Sequence, residues 1–237
     1  MTRRIAILLT STDTSDFAKR HPDDGQKFTT LLQPLRPDWR FDVVSVKDGV
    51  FPDAVDSYDG YVITGSPASV NGPEDWVARL MSLIRDIEVR RIPMFGACFG
   101  HQAIAVALGG SVTKSDKGWG LGTAPTHFDQ KAPWMEPFRD HLVLFAAHQE
   151  QVQELPDGAE ILGGDTFCPI GAYRIGDHVF ATEYHPEMTH RFIAELLDEL
   201  DGKLDADTLD KARATLDSPA EGTFFAQWIV NFLEYRG

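Results

Sequence analysis

Ile5 to Leu9 is an unbroken apolar run that stops at the polar cluster Thr10-Ser11-Thr12-Asp13, the pattern of a strand buried on both faces as it leaves a sheet. A helix is predicted from about Asp24 to Leu32, and Arg40 to Val46, rich in β-branched residues, predicts a second strand. A third, Tyr61 to Thr64, ends in the turn-forming Gly65-Ser66-Pro67. From Glu74 to Glu88 the apolar residues Trp76, Val77, Leu80, Leu83, Ile84 and Ile87 recur at helical spacing, with Arg79, Arg85 and Asp86 opposite them, which predicts an amphipathic crossover helix. The alternation continues into a strand over Ile92 to Phe95 and a helical segment over Cys98 to Leu108.

Between about Gly110 and Ala181 the pattern shortens into β-rich pieces punctuated by glycine: Gly118 to Gly122, Leu142 to Ala146, Ile170 to Arg174 and His178 to Ala181, read as antiparallel strands. After His185 helices are predicted over about Thr189 to Leu200, Asp207 to Leu216 and Thr223 to Tyr235. Together these elements predict an α/β fold: an open, mostly parallel sheet with helices on both faces, a small antiparallel β portion and a helical C-terminal extension over about 189–237. No repeat, low-complexity tract or Pro-rich linker divides the 237 residues, so a single domain over 1–237 is expected.

Composition narrows the function classes. With 43% hydrophobic and 24% charged residues the chain can bury a sizeable core, which excludes disorder. Its 36 Asp and Glu against 22 Lys and Arg give a formal charge of -14, which repels phosphate backbones and anionic lipid, so neither nucleic acid nor membrane is an expected partner. The apolar run after Arg3-Arg4 is too short for a signal-peptide core and no later stretch is long enough to span a bilayer, so a cytoplasmic location is expected. The two cysteines, Cys98 and Cys168, stand in unlike contexts, which fits neither a disulfide framework nor a Cys-rich zinc site. None of the eight histidines forms a His-x-x-x-His pair, so no metal site is expected.

Candidate chemistry centres on Gly96-Ala97-Cys98-Phe99-Gly100, between a predicted strand and a predicted helix. A free cysteine is ordinarily a small, inert core residue. Glycines two before and two after it, however, let a strand turn abruptly into a helix and leave the central side chain exposed at the tip, with the helix N-terminus aimed at the sulfur to lower its pKa. Cys98 is therefore the candidate nucleophile, while Cys168, before Pro169, keeps the ordinary reading. A thiolate needs a proton donor for the leaving amine. His185 ends the predicted strand Val179 to Tyr184, at the edge where active sites of open α/β sheets collect, and Glu187 two residues on can orient its imidazole across Pro186. His185-Pro186-Glu187 by itself reads equally as a helix start; the pairing with Cys98 favours a triad. His101 is expected to point sideways from the helix, Trp119 to pack in the core in preference to lining a pocket, and His21, His127, His141, His178 and His190 lack supporting context.

At these residues the chain resembles the class I glutamine amidotransferases, most of all the glutaminase domain of GMP synthetase and its free-standing relatives. The similarity covers nearly the whole chain and rests on Gly96-Ala97-Cys98-Phe99-Gly100-His101-Gln102 and His185-Pro186-Glu187. The resemblance implies a flavodoxin-like core and a Cys98-His185-Glu187 triad that forms a γ-glutamyl thioester and hydrolyses the γ-amide of glutamine to ammonia and glutamate. It implies an oxyanion hole from the backbone of Ser66 and Phe99, and substrate contacts from Gly65, Gln102, His148 and Gln149. The family's Gly-Gly-Pro loop stands here as Gly65-Ser66-Pro67, and the Ser-His-x-Asp segment as Ala147-His148-Gln149-Glu150. No Gly-rich ATP-binding loop occurs and no cofactor is implied. Three readings follow: a glutaminase delivering ammonia to a synthetase subunit or working alone, a free-standing γ-glutamyl peptidase or hydrolase, and a non-catalytic interaction subunit of the same fold.

Overall fold

The computed structural model describes residues 2–236. In chain order the elements are β1 (Arg4–Leu9), α1 (Asp16–Lys19), α2 (Asp24–Leu32), β2 (Arg40–Ser45), β3 (Gly60–Ile63), α3 (Asp75–Val89), β4 (Met94–Ala97), α4 (Phe99–Ala107) and β5 (Ser111–Lys114). There follow β6 (Gly120–Phe128), β7 (His141–His148), β8 (Glu150–Glu154), β9 (Ala159–Gly164), β10 (Ala172–Ile175), β11 (Val179–Thr182), α5 (His190–Glu199), α6 (Ala206–Thr215) and α7 (Gly222–Glu234).

One nine-stranded sheet carries the fold, in the order β2-β1-β3-β4-β11-β10-β9-β6-β7. The first five strands of that order are parallel, and from β11 onward the pairings are antiparallel. The apolar run of β1 alternates as the pleat requires: Ile5 and Ile7 enter one core, Ala6 and Leu8 the other. On β11, Phe180 likewise faces the first core, Val179 and Ala181 the second. The second core is closed by α3 and α4, the first by α2 and α7. Strands with no polar face therefore end up covered on both sides, as a parallel sheet demands.

Helix boundaries follow local chemistry. Asp23 caps α2 in a reciprocal capping box with Gln26, Thr189 caps α5 through Phe192 N–H, and Asp205 caps α6 through Thr208 N–H. The structure departs from the sequence reading in three respects. The antiparallel region is larger than its periodicity suggested: β5, β8 and β9 were not anticipated, and β5 and β8 pair in a separate two-stranded sheet. The four-residue α1 was also missed; it is too short for a helical period to register. Finally, α7 is no peripheral tail. Phe225, Trp228, Ile229 and Phe232 are fully buried against Phe95, Phe128 and Phe180, so this helix builds one of the two main cores. Among the described residues no helix is long and apolar enough to cross a membrane.

Candidate active site

Four parallel strands deliver their following residues to one edge of the sheet: Thr10 after β1, Gly65 after β3, Cys98 after β4 and His185 three residues beyond β11. Cys98 is the turn itself, with φ 48° and ψ −104°, a backbone conformation that costs a non-glycine residue on the order of 1–3 kcal/mol. The two glycines explain how the turn is tolerated. A Cβ on Gly96 would lie 2.6 Å from the Gly100 carbonyl carbon, and one on Gly100 would lie 2.4 Å from the Ile63 carbonyl oxygen. Strand and helix can approach this closely only without side chains at both positions.

His185 is brought to the cysteine by three contacts outside its own strand. Its backbone N–H donates to Phe145 O at 2.8 Å, Gly222 at the start of α7 packs directly on the Pro186 backbone, and Gly65 lies against the imidazole and Cys98 Cβ. Nδ1 of His185 and Oε1 of Glu187 are 2.7 Å apart, the N–H donating to the carboxylate, and both residues are about 5% exposed or less. Nε2 makes no such hydrogen bond and is left for the sulfur and the substrate. The imidazole is held well above its usual pKa: burial opposes its charge, but Glu187 and Cys98 outweigh it. For Cys98 the sequence reading expected a lowered pKa. Burial instead pushes the thiol up, with His185 pulling it back. A charge on the sulfur is thus opposed by burial and favoured by a protonated His185.

The Gly65-Ser66-Pro67 loop is pinned to the end of β1. Thr10 Oγ1 donates to Gly65 O at 2.9 Å, and Ser66 Oγ donates to Thr10 O at 2.8 Å. The Ser66 hydroxyl is thus engaged with the backbone of β1. Among the described residues neither the Ser66 nor the Phe99 backbone N–H donates a hydrogen bond, so both remain free to meet an oxyanion.

On the same cleft, β7 ends at His148, Gln149 forms the corner, and β8 begins at Glu150. Gln102 Nε2 donates to Glu150 O at 2.9 Å and to Glu183 Oε1 at 2.7 Å. With both amide hydrogens engaged, Gln102 presents its carbonyl oxygen as an acceptor. His148 is buried, its Nδ1 3.2 Å from Glu150 O, and burial lowers its pKa. Glu183 is fully buried and was not anticipated; His101 Nδ1 lies 2.9 Å from its Oε2, so His101 faces inward and not sideways. The period-two spacing of Glu183, His185 and Glu187 was the available signal. Trp119, expected to pack, is half-buried on the cleft wall, while Cys168 is a buried thiol whose pKa is pushed well up by burial. Among the described residues no three His, Cys, Asp or Glu side chains gather as metal ligands.

Cys98, His185, Gly65, Ser66, Gln102, His148 and Gln149 all border one cleft of about 940 Å³. Another wall comes from α1, α2 and α5, where Asp24 pairs with Lys27 at 2.7 Å. Burial raises the Asp24 pKa and the nearby Glu187 adds to it, against the pull of Lys27.

The family described as Glutamine amidotransferase class-I matches the chain over residues 38–197. Gamma-glutamyl peptidase 3 of Arabidopsis thaliana is 29% identical over 243 residues, covering 98% of this chain and 97% of that protein. The glutamine-hydrolysing GMP synthase of Ruthia magnifica is 28% identical over 180 residues, 71% of this chain but 32% of that protein. Among solved structures, a glutamine amidotransferase from Thermotoga maritima shares the fold with a TM-score of 0.77 at 18% identity, covering 99% of this chain and 97% of that one.

Proposed function

Because this chain belongs to the class I glutamine amidotransferase family, we propose that it is a cysteine hydrolase of γ-glutamyl amides, with γ-glutamyl peptides as its main substrates. The observation that carries this reading is the hydrogen-bonded His185–Glu187 pair beside a strained Cys98 at the wall of a cleft far larger than free glutamine needs. Similarity along almost the whole length of Arabidopsis proteins called gamma-glutamyl peptidases supports the same choice of leaving group.

The chemistry follows from the positions of the groups. The Cys98 thiolate attacks the γ-carbonyl carbon, and the charge that develops on oxygen is received by the Phe99 and Ser66 N–H groups. As the tetrahedral intermediate collapses, imidazolium Nε2 of His185 gives its proton to the departing nitrogen, leaving a γ-glutamyl thioester on Cys98. Water enters, His185 takes its proton, and the second collapse releases glutamate and restores the Cys98 thiolate beside the His185 imidazolium. Glu187 holds the imidazole in one tautomer and balances its charge in both half-reactions. Gln102, fixed by Glu150 and Glu183, accepts from the α-amino end of the γ-glutamyl unit.

A second reading, glutamine as substrate with ammonia passed to a synthetase subunit, draws on the similarity to GMP synthase. Comparing kcat/KM for a γ-glutamyl dipeptide and for glutamine, with Cys98→Ala as control, separates the two. The expected result is at least tenfold preference for the dipeptide and loss of both activities in the variant. Faster turnover of glutamine would favour the second reading, and activity surviving in Cys98→Ala would remove both.

A further inference from the structure

Phe192, Leu196 and Leu200 recur every fourth residue through α5 and its C-cap, a spacing that puts them on one helix face, and Met188 stands just before the helix. All four are half-buried and border the cleft, whereas Ile193 and Leu197 on the neighbouring face are fully buried. The stripe begins at Met188, immediately after Glu187, and its helical part from Phe192 to Leu200 extends for roughly 12 Å at the α-helical rise. It is also held in shape. The Phe192 ring lies 5.3 Å from Phe17 and 5.0 Å from His21, and the Lys27 ammonium sits 3.5 Å from its centre while paired with Asp24. A ring fixed on three sides does not fold into the cleft to cover its own apolar surface.

Its direction assigns its occupant. The group that protonates the leaving nitrogen is His185, so whatever that nitrogen carries departs on the side of His185 and Glu187, away from Gln102 and Glu150. Met188 follows Glu187 directly in the chain and borders the same cleft as His185, which brings the α5 stripe to that side. We infer that the face of Met188, Phe192, Leu196 and Leu200 is a leaving-group trough, selecting γ-glutamyl amides whose amine bears a large apolar or aromatic side chain. The inference rests on the hydrolase reading above and adds to it the class of amine released. Ammonia would leave the trough empty, and a glycine unit would touch little of it.

The test measures kcat/KM for γ-glutamyl-phenylalanine, γ-glutamyl-leucine, γ-glutamyl-glycine and glutamine with the unmodified protein, and then the phenylalanine-to-glycine ratio in Leu196→Gln and, separately, Leu200→Gln. The trough predicts that the phenylalanine substrate exceeds the glycine substrate by on the order of tenfold or more, and that the ratio falls several-fold in either variant. The ratio cancels general losses of folded protein, and the comparison on the unmodified protein needs no variant. Hydrolysis of glycine and phenylalanine substrates at equal efficiency, or a preference that both variants retain, overturns the trough and leaves the hydrolase reading standing. Failure to hydrolyse any γ-glutamyl amide overturns both.

Discussion

At residue scale, Cys98, His185 and Glu187 place opposing electrostatic demands on one another within a buried site. Glu187 keeps His185 charged to higher pH than a free imidazole, and burial keeps Cys98 protonated to higher pH than its partner alone would allow. With His185 as the proposed proton donor to the leaving nitrogen, the alkaline limb of the pH profile is expected to report its deprotonation. Removing the Glu187 charge lowers the His185 pKa, so Glu187→Gln is expected to move that limb to lower pH and to cut kcat at least tenfold through loss of a charged hydrogen bond. A pH profile unchanged in position would mean that Glu187 is not the partner that matters. The same scale covers Gly100, where a Cβ would meet the Ile63 carbonyl oxygen at 2.4 Å. Gly100→Ala is expected to cost about 1–3 kcal/mol of stability by overpacking and on the order of a hundredfold in kcat by displacing Cys98, measured by thermal melting and by steady-state rates.

At the scale of elements, His185 depends on two structures that lie far from it in sequence. The β7 strand accepts the His185 N–H at Phe145 O, and α7 presses Gly222 against Pro186, where an added Cβ would lie 2.1 Å from the Pro186 oxygen. Gly222→Ala must therefore push the His185 segment away from Cys98. The expected outcome is a kcat loss on the order of a hundredfold with the KM for a γ-glutamyl dipeptide changed much less, since the acyl contacts around Gln102 are untouched. The parallel strands and the long helices were legible in the sequence because each carries its own period. Cys98, His185 and Glu187 were legible because glycine and proline mark the turns that hold them. The clasp by α7 was not, since Gly222 acts through a contact between distant segments. Nor was Glu183, whose burial depends on His101 and Gln102 meeting it across the sheet. Short strands such as β5 and β8 are defined by their pairing more than by their composition, so their sequences gave no distinct alternation.

At the scale of the whole molecule, a two-sided sheet places Cys98 and His185 on one edge while α7 and the antiparallel strands seal the core beneath it. The formal charge of -14 is not carried into the cleft, where Lys19, Lys27, Lys47, Lys114 and Lys203 stand among the acidic residues on the walls. A γ-glutamyl substrate with its own carboxylates thus meets a mixed surface and not a uniformly repulsive one. The central claim, that this scaffold turns Cys98 into an acyl acceptor, is tested most directly by quenching the protein in acid during turnover of a γ-glutamyl dipeptide and mapping the adduct by mass spectrometry. The account predicts a γ-glutamyl thioester on the Cys98 peptide, accumulating within the first turnover and absent from Cys98→Ala. Continued hydrolysis by Cys98→Ala, or an acyl group found on any other residue, would contradict it.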